Sequence, residues 1–175
     1  AVALAVNLPQ AHFIALDISQ AALGVAKRNA GRHGVADRME FLLSDFFSAL
    51  EDSPTGEFAV AHRQPLVQAD FIVANPPYVS PSEWKTLQRE VREHEPSIAL
   101  LSSDDSIALY SRLFHQSQRF LNPQGYLICE IGYGQYPAIS NAIDTSVWQL
   151  VEVVRDLQGI ERTLVLKRRE QEARG

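Results

Sequence analysis

The sequence predicts an α/β fold, a mostly parallel sheet with an antiparallel hairpin at its C-terminal edge. Three observations carry that prediction. Short apolar runs alternate with stretches of helical spacing as far as about residue 144. A polar residue follows each of the first three runs: Asp17, Asp45 and Asn75. The last two runs then succeed one another with only a glycine-containing turn between them.

The elements follow in order. Ala1-Val2-Ala3-Leu4-Ala5-Val6 reads as helix from its first position, with no capping residue ahead of it and Pro9 as its stop. His12 to Leu16 is a buried strand ending at Asp17. Ser19 can cap the next helix, whose apolar positions Ala22, Leu23, Val25 and Ala26 lie at helical spacing and which ends at Gly31 to Gly34. Met39 to Leu43 is a second strand, and Phe46 to Leu50 one helical turn. Residues 51–69, with Pro54, Gly56 and Pro65, read as a long loop without an assigned role. Ala69 to Ala74 is a third strand, stopped by Asn75-Pro76-Pro77-Tyr78. Residues 79–103 are polar and irregular, with a helix from Pro81 to about Glu90. Asp104 or Asp105 caps a helix whose buried face is Ile107, Leu109, Leu113, Phe114 and Phe120. Asn122-Pro123-Gln124-Gly125 is a turn, Tyr126 to Ile131 a strand and Gln135 to Asp144 a helix. Trp148 to Arg155 and Ile160 to Lys167 close the chain as two strands broken at Gly159.

Composition narrows the function classes. With 175 residues, 46% apolar and 21% charged, the chain is long enough for one α/β domain and outside the ranges of disordered or fibrous proteins. No apolar run approaches the roughly 20 residues that cross a bilayer, which predicts no membrane association. The single cysteine, Cys129, excludes an intrachain disulfide and fits a reducing, cytoplasmic setting. A net charge of −5 argues against a domain that grips nucleic acid by neutralising phosphates. The one dense basic cluster, Lys167-Arg168-Arg169, reads as a solvated tail. His12, His33, His62 and His115 have no metal-ligand spacing to one another or to Cys129, so no metal is expected.

Asn75-Pro76-Pro77-Tyr78 carries the strongest chemical signal. Two prolines straight after a buried strand donate no backbone hydrogen bonds, fix φ near −65° and push the preceding residues away from helical angles. The backbone is left stiff and extended, with carbonyls free to accept. The Asn75 amide oxygen adds a second acceptor. A rigid pair of acceptors matches a planar NH2 group, and Tyr78 offers it an aromatic face. A plain turn capping the strand is the alternative. Asp17, at the end of a strand, fits the two ribose hydroxyls of a nucleotide, or else caps the helix near Ser19. Asp45 fits an adenine amine with Phe46 packed on the ring, or else is an N-cap beside a core aromatic. Glu93-His94-Glu95-Pro96 either shapes an acceptor pocket or is a solvated loop.

On these residues the chain resembles the release-factor glutamine N5-methyltransferases (the HemK/PrmC family), over almost its whole length. The resemblance runs through Asp17 and Lys27-Arg28-Asn29-Ala30, then Ser44-Asp45-Phe46-Phe47 and Val73-Ala74-Asn75-Pro76-Pro77-Tyr78. It continues in Val91 to Pro96 with Ala99-Leu100, in Glu130-Ile131-Gly132, and in Arg155-Asp156-Leu157 with Glu161-Arg162. The tetrad is shared with adenine and guanine N-methyltransferases, while the Glu95-Pro96 segment and the Asp156 to Arg162 pattern narrow the likeness to glutamine. The resemblance implies a Rossmann-like class I methyltransferase domain spanning residues 1–175. It implies S-adenosylmethionine as cofactor, with S-adenosylhomocysteine as its product, and class 1 peptide chain release factors as partners. It implies cofactor contacts from Asp17, Asp45, Phe46 and Asn75. It also places the acceptor glutamine of a Gly-Gly-Gln loop on Asn75, Pro76, Pro77 and Tyr78, with Asn75, Pro76 and Tyr78 at the reacting nitrogen. A glycine-rich loop just before Ala1, the central strand ahead of it and a small helical domain are further features of the family outside these residues. Cofactor binding by this segment by itself is therefore expected to be weak. A ribosomal-protein glutamine methyltransferase, an adenine-N6 nucleic-acid methyltransferase and a catalytically silent scaffold remain alternatives.

Overall fold

The computed structural model describes residues 1–51, 67–77 and 106–170. The chain divides into two compact units, Ala1–Leu66 and Val67–Gly175.

In the first unit, helix α1 (Val2–Asn7) starts at Ala1 without a side-chain cap and is followed by strand β1 (Phe13–Asp17). Helix α2 (Gln20–Arg32) is capped by Ser19, whose side chain accepts from the Ala22 N–H at 3.2 Å. Its buried positions are Leu23 and Ala30; Val25, which the spacing places on the apolar face, is 47% exposed. Strand β2 (Met39–Leu43) pairs in parallel with β1, Phe13 opposite Met39 and Asp17 opposite Leu43. One core cluster among the described residues here is Ala5, Ala30, Val35 and Met39, flanked by Val2, Phe13 and Phe41, and Phe47 is buried as well. Arg38 fastens α1 to this core. Its guanidinium donates to the carbonyls of Ala5 (2.8 Å), in the last turn of α1, Leu8 (3.1 Å), its C-cap, and Ala11 (2.8 Å), in the segment that follows. Helix α3 is a single turn, Ser48–Glu51.

The second unit holds strand β3 (Ala69–Ala74), helix α4 (Ser106–Phe120), strand β4 (Leu121–Glu130), helix α5 (Tyr136–Ser140) and strands β5 (Trp148–Arg155) and β6 (Glu161–Arg168). Its sheet runs β3-β4-β6-β5, with β3 parallel to β4 and the other two pairings antiparallel. The expected α/β character is present, with a parallel pair in each unit and an antiparallel C-terminal edge hairpin in the second. Among the described residues β1 pairs only with β2 and β3 only with β4. Leu127 and Cys129 on β4 and Leu164 and Leu166 on β6 are buried at alternate positions, the period of a strand with one covered face. On α4 the buried stripe is Tyr110, Leu113, Phe114, Ser117 and Phe120, so Tyr110 joins the apolar positions read from spacing.

Two boundaries differ from the sequence reading. Strand β4 begins at Leu121, ahead of the turn residues: Ala69 pairs with Leu121 and Phe71 with Tyr126, so Asn122 to Gly125 bulge out of one continuous strand. Asn122 Nδ2 donates to Asp70 Oδ1 at 2.9 Å across the bulge, and a Cβ on Gly125 would lie 2.9 Å from the Asn122 oxygen and 3.1 Å from that of Asp70. Helix α5 stops at Ser140 rather than Asp144. The side chains of Ser140 (2.9 Å) and Asn141 (3.2 Å) both donate to the Pro137 carbonyl, and the backbone tightens into i→i−3 bonds at Ala142 and Ile143.

The β5–β6 turn is closed by Asp156. Its Oδ1 accepts from the backbone of Gln158 (2.9 Å) and Ile160 (3.0 Å), and Oδ2 accepts from Arg162 Nε (3.2 Å). Gly159, at φ 79°, supplies the left-handed residue that the turn requires. No described helix is long and apolar enough to cross a membrane.

Candidate active site

The carboxyl ends of parallel strands carry the expected site residues, in two groups. In the first unit, Asp17 is exposed at the end of β1. Its Oδ1 accepts from the Ser19 N–H at 2.8 Å, which leaves Ser19, not Asp17, as the cap of α2. The parallel ladder continues one step past β2, with the Ser44 N–H donating to the Asp17 carbonyl at 2.9 Å. That bond sets Asp45 just beyond the strand end neighbouring Asp17, so the two carboxylates expected at the cofactor share one sheet edge. Asp45 is exposed and Phe46 half-buried, while Phe47 is buried.

Phe46 corrects the sequence reading. Helical angles were expected from Phe46 onward, yet its φ is +50° and the helical turn begins at Ser48. Side chains impose the reversal: Ser44 Oγ donates to the Phe46 carbonyl at 2.8 Å and accepts from the Ala49 N–H at 3.0 Å. Sequence reasoning noted Ser44 without assigning it a role. The signal available was a pair of hydroxyls, Ser44 and Ser48, flanking an Asp-Phe-Phe turn after a strand.

In the second unit, Asn75-Pro76-Pro77 follows β3 without a break. Asn75 is exposed, Pro76 buried and Pro77 half-buried. The register Ala74 opposite Cys129 places Asn75 beside Glu130 at the end of β4. That neighbouring end is anchored. Tyr110 Oη donates to the Glu130 carbonyl at 2.7 Å, and the Ile131 N–H to Arg162 O at 2.9 Å. Gln135 Oε1 then accepts from the Gly132 N–H at 3.1 Å, packed so closely that a Cβ on Gly132 would fall 2.6 Å from Gln135 Cδ. Tyr78 and Glu93 to Pro96 lie outside the described residues.

Hollows among the described residues include two away from these strand ends. One of about 480 Å³ lies against α1 and α2 in the first unit, and one of about 140 Å³ against α4 and the segment before β5 in the second. Neither is lined by an expected site residue; those residues stand on open strand ends. Among the described residues no group of three or more histidine, cysteine, aspartate or glutamate side chains could hold a metal ion.

Comparison of the sequence and of the fold with known proteins defines the family. The chain belongs to the methyltransferase domain family, whose model matches residues 1–156. It is 35% identical over 157 residues to the release factor glutamine methyltransferase of Nitratidesulfovibrio vulgaris, covering 89% of this chain and 49% of that protein. It is 34% identical over 165 residues to the bifunctional methyltransferase of Rickettsia conorii, covering 94% of this chain and 29% of that protein. The chain thus spans about half or less of these relatives. In fold it is similar to TrmN from Thermus thermophilus (TM-score 0.63, 18% identity, 95% of this chain and 40% of that one). It is also similar to an RNA methyltransferase from Salinibacter ruber solved with S-adenosyl-L-homocysteine (TM-score 0.55, 15% identity, 99% and 76%).

Proposed function

We propose that this chain carries the catalytic residues of a cytoplasmic S-adenosylmethionine-dependent enzyme. Its acceptor would be the side-chain amide nitrogen of the glutamine in the Gly-Gly-Gln loop of class 1 release factors. The observation that carries the reading is the exposed Asn75 carboxamide on a proline-locked strand end. The similarity to a release factor glutamine methyltransferase supports the choice of acceptor.

The residues of the first unit fit the cofactor. Asp17 offers an exposed carboxylate for a pair of hydroxyls, and Asp45 one for an exocyclic amine beside the half-buried Phe46 ring. When bound, S-adenosylmethionine supplies an electrophilic sulfonium methyl. The work of the chain's own residues is placement. An amide nitrogen is a poor nucleophile because its lone pair is delocalised into the carbonyl. The Asn75 amide oxygen and the Pro76 carbonyl would take its two N–H donors, with Pro77 holding that backbone rigid and Tyr78 covering the planar group. Held so, the lone pair faces one direction, and orientation of this kind contributes on the order of 7–11 kcal/mol in favourable systems. The same acceptors stabilise positive charge growing on the nitrogen. No general base is required beforehand, since the proton of the methylated product is acidic and leaves afterwards.

The test is Asn75→Ala in the intact protein, with purified release factor and labelled cofactor. A fall in methylation of roughly a hundredfold or more is expected on preorganisation grounds. A near wild-type rate would reject the placement role. Mass spectrometry of the product reads the acceptor directly, and a methyl on any residue but the loop glutamine rejects the release-factor reading.

A further inference from the structure

One buried residue beside the proposed adenine contacts has no role in the reading above. Ser44 is buried, 5% exposed, at the end of β2. A serine hydroxyl has one proton to give and lone pairs to accept with, and here both functions are used across a single residue. The proton goes to the Phe46 carbonyl at 2.8 Å, and a lone pair takes the Ala49 N–H at 3.0 Å. Between those bonds Phe46 sits at φ +50°, a left-handed conformation uncommon for any side chain and more so for a bulky one. Ser48 adds a second brace. Its Oγ lies 3.3 Å from Ser44 Oγ and accepts from the Asp45 N–H at 3.2 Å. The Ser44 backbone N–H meanwhile bonds the Asp17 carbonyl.

The reversal has a visible result. Two adjacent phenylalanines part company, Phe47 entering the core at 6% exposure while Phe46 stays half-buried next to the exposed Asp45 carboxylate. Backbone outliers of this kind persist where the surroundings over-determine them, and they cluster at ligand clamps. Asp45 and Phe46 thus follow one another at the strand end, the carboxylate residue exposed and the aromatic one half-buried.

We infer that Ser44 is a positioning residue for adenine recognition, acting through the left-handed Phe46 turn that aligns the Asp45 carboxylate with the Phe46 ring. This rests on the reading of Asp45 and Phe46 as cofactor contacts given above.

A double-mutant cycle tests it, read as the dissociation constant of S-adenosylhomocysteine in the intact protein. Phe46→Ala and Asp45→Ala are each expected to weaken binding by about tenfold or more, and Ser44→Ala by several-fold. The Ser44→Ala/Phe46→Ala double variant is expected to bind about as Phe46→Ala does, because residues in one network couple and a serine acting through Phe46 has nothing left to position. Multiplication of the two single effects would mark a merely structural serine and overturn the inference. So would Ser44→Ala binding within twofold of wild type while Phe46→Ala and Asp45→Ala are impaired. Wild-type binding by both Phe46→Ala and Asp45→Ala would instead overturn the adenine site itself, and the inference with it. Should Ser44→Ala not fold, the same cycle with Ser48→Ala decides. A weakening that vanishes in the Phe46→Ala background supports the brace, and an unchanged or fully multiplicative effect rejects it.

Discussion

The two units of this chain solve the same problem with unequal means. The second closes a four-stranded sheet over large side chains, with Trp148, Tyr110 and Phe120 almost wholly buried. Among the described residues the first has a two-stranded sheet, and its buried apolar side chains are Ala5, Leu23, Ala30, Val35, Met39 and Phe47, most of them smaller. A two-stranded pair is marginal without further packing. Small side chains remove little apolar surface from water, and each buried CH2 is worth about 0.8 kcal/mol. What the first unit lacks in apolar volume it supplements with directed polar contacts: three carbonyls on Arg38, the Ser19 cap and the Ser44–Ser48 brace. The second unit thus carries Asn75 at the end of a strand in a sheet with large buried side chains, whereas the first carries Asp17 and Asp45 on strand ends braced by hydrogen bonds. Native-state hydrogen exchange is accordingly expected to show amides of β1 and β2 opening at lower free energy than those of β4 and β6.

The largest test of that contrast is Trp148→Ala. Truncating a fully buried indole leaves a cavity, and a loss of about 3–5 kcal/mol in the stability of the second unit is expected by denaturant titration. A loss below about 1 kcal/mol would show that the large core is not what holds this unit. Arg38→Ala is the counterpart in the first unit. Its removal strands carbonyls that are partly buried, for about 1–3 kcal/mol, and exchange should quicken in α1 and β1 while β4 and β6 keep their protection. Equal quickening in both units would break the distinction.

Cys129 probes the second unit without mutation. Burial pushes its thiol up to about 12 from the ordinary 9.0. It should therefore resist iodoacetamide at pH 8 until the unit opens, and prompt alkylation of the native protein would contradict the packing. The smallest effect belongs to Asp156, whose carboxyl is held below its usual 3.8 first by the Ile160 N–H, then by the Gln158 N–H and Arg162. A depressed carboxyl stabilises the fold above its unfolded value and loses that contribution as pH falls through the folded one. Acid titration of the β5–β6 turn by NMR should show loosening only below about pH 4, and Asp156→Asn should abolish that dependence.

How much was legible depended on how local the cause was. Strands Met39–Leu43, Ala69–Ala74 and Trp148–Arg155 match their sequence reading residue for residue, because each is an apolar run with a polar, proline or turn residue beyond its end. The placement of Asp17, Asp45 and Asn75 after strands was equally local. The turn at Phe46 was not, since Phe46-Phe47-Ser48 has ordinary helical character and the bond from the buried Ser44 hydroxyl to the Phe46 carbonyl runs against it. Nor was the role of Arg38, whose partners lie 27 to 33 positions earlier. The apolar face of α2 was misjudged at Val25 because alanine and valine spacing fits more than one face, and the partner element chooses among them. Tyr110 escaped because its hydroxyl reads as polar, although Glu130 O satisfies it inside the core.

The crowded glycine of the β4 bulge has a reach beyond its own turn. Gly125 touches the backbone oxygens of Asn122 and Asp70, so any side chain there must push β3 and β4 apart or slide one along the other. Asp70 and Asn75 are five positions apart on one rigid strand segment, about 16 Å at the rise of an extended chain. A slip of a single position at the bulge would turn every β3 side chain to the opposite face and carry the carboxamide away with it. A substitution at the Gly125 bulge can thus disturb the strand end that carries Asn75, a full strand's length away.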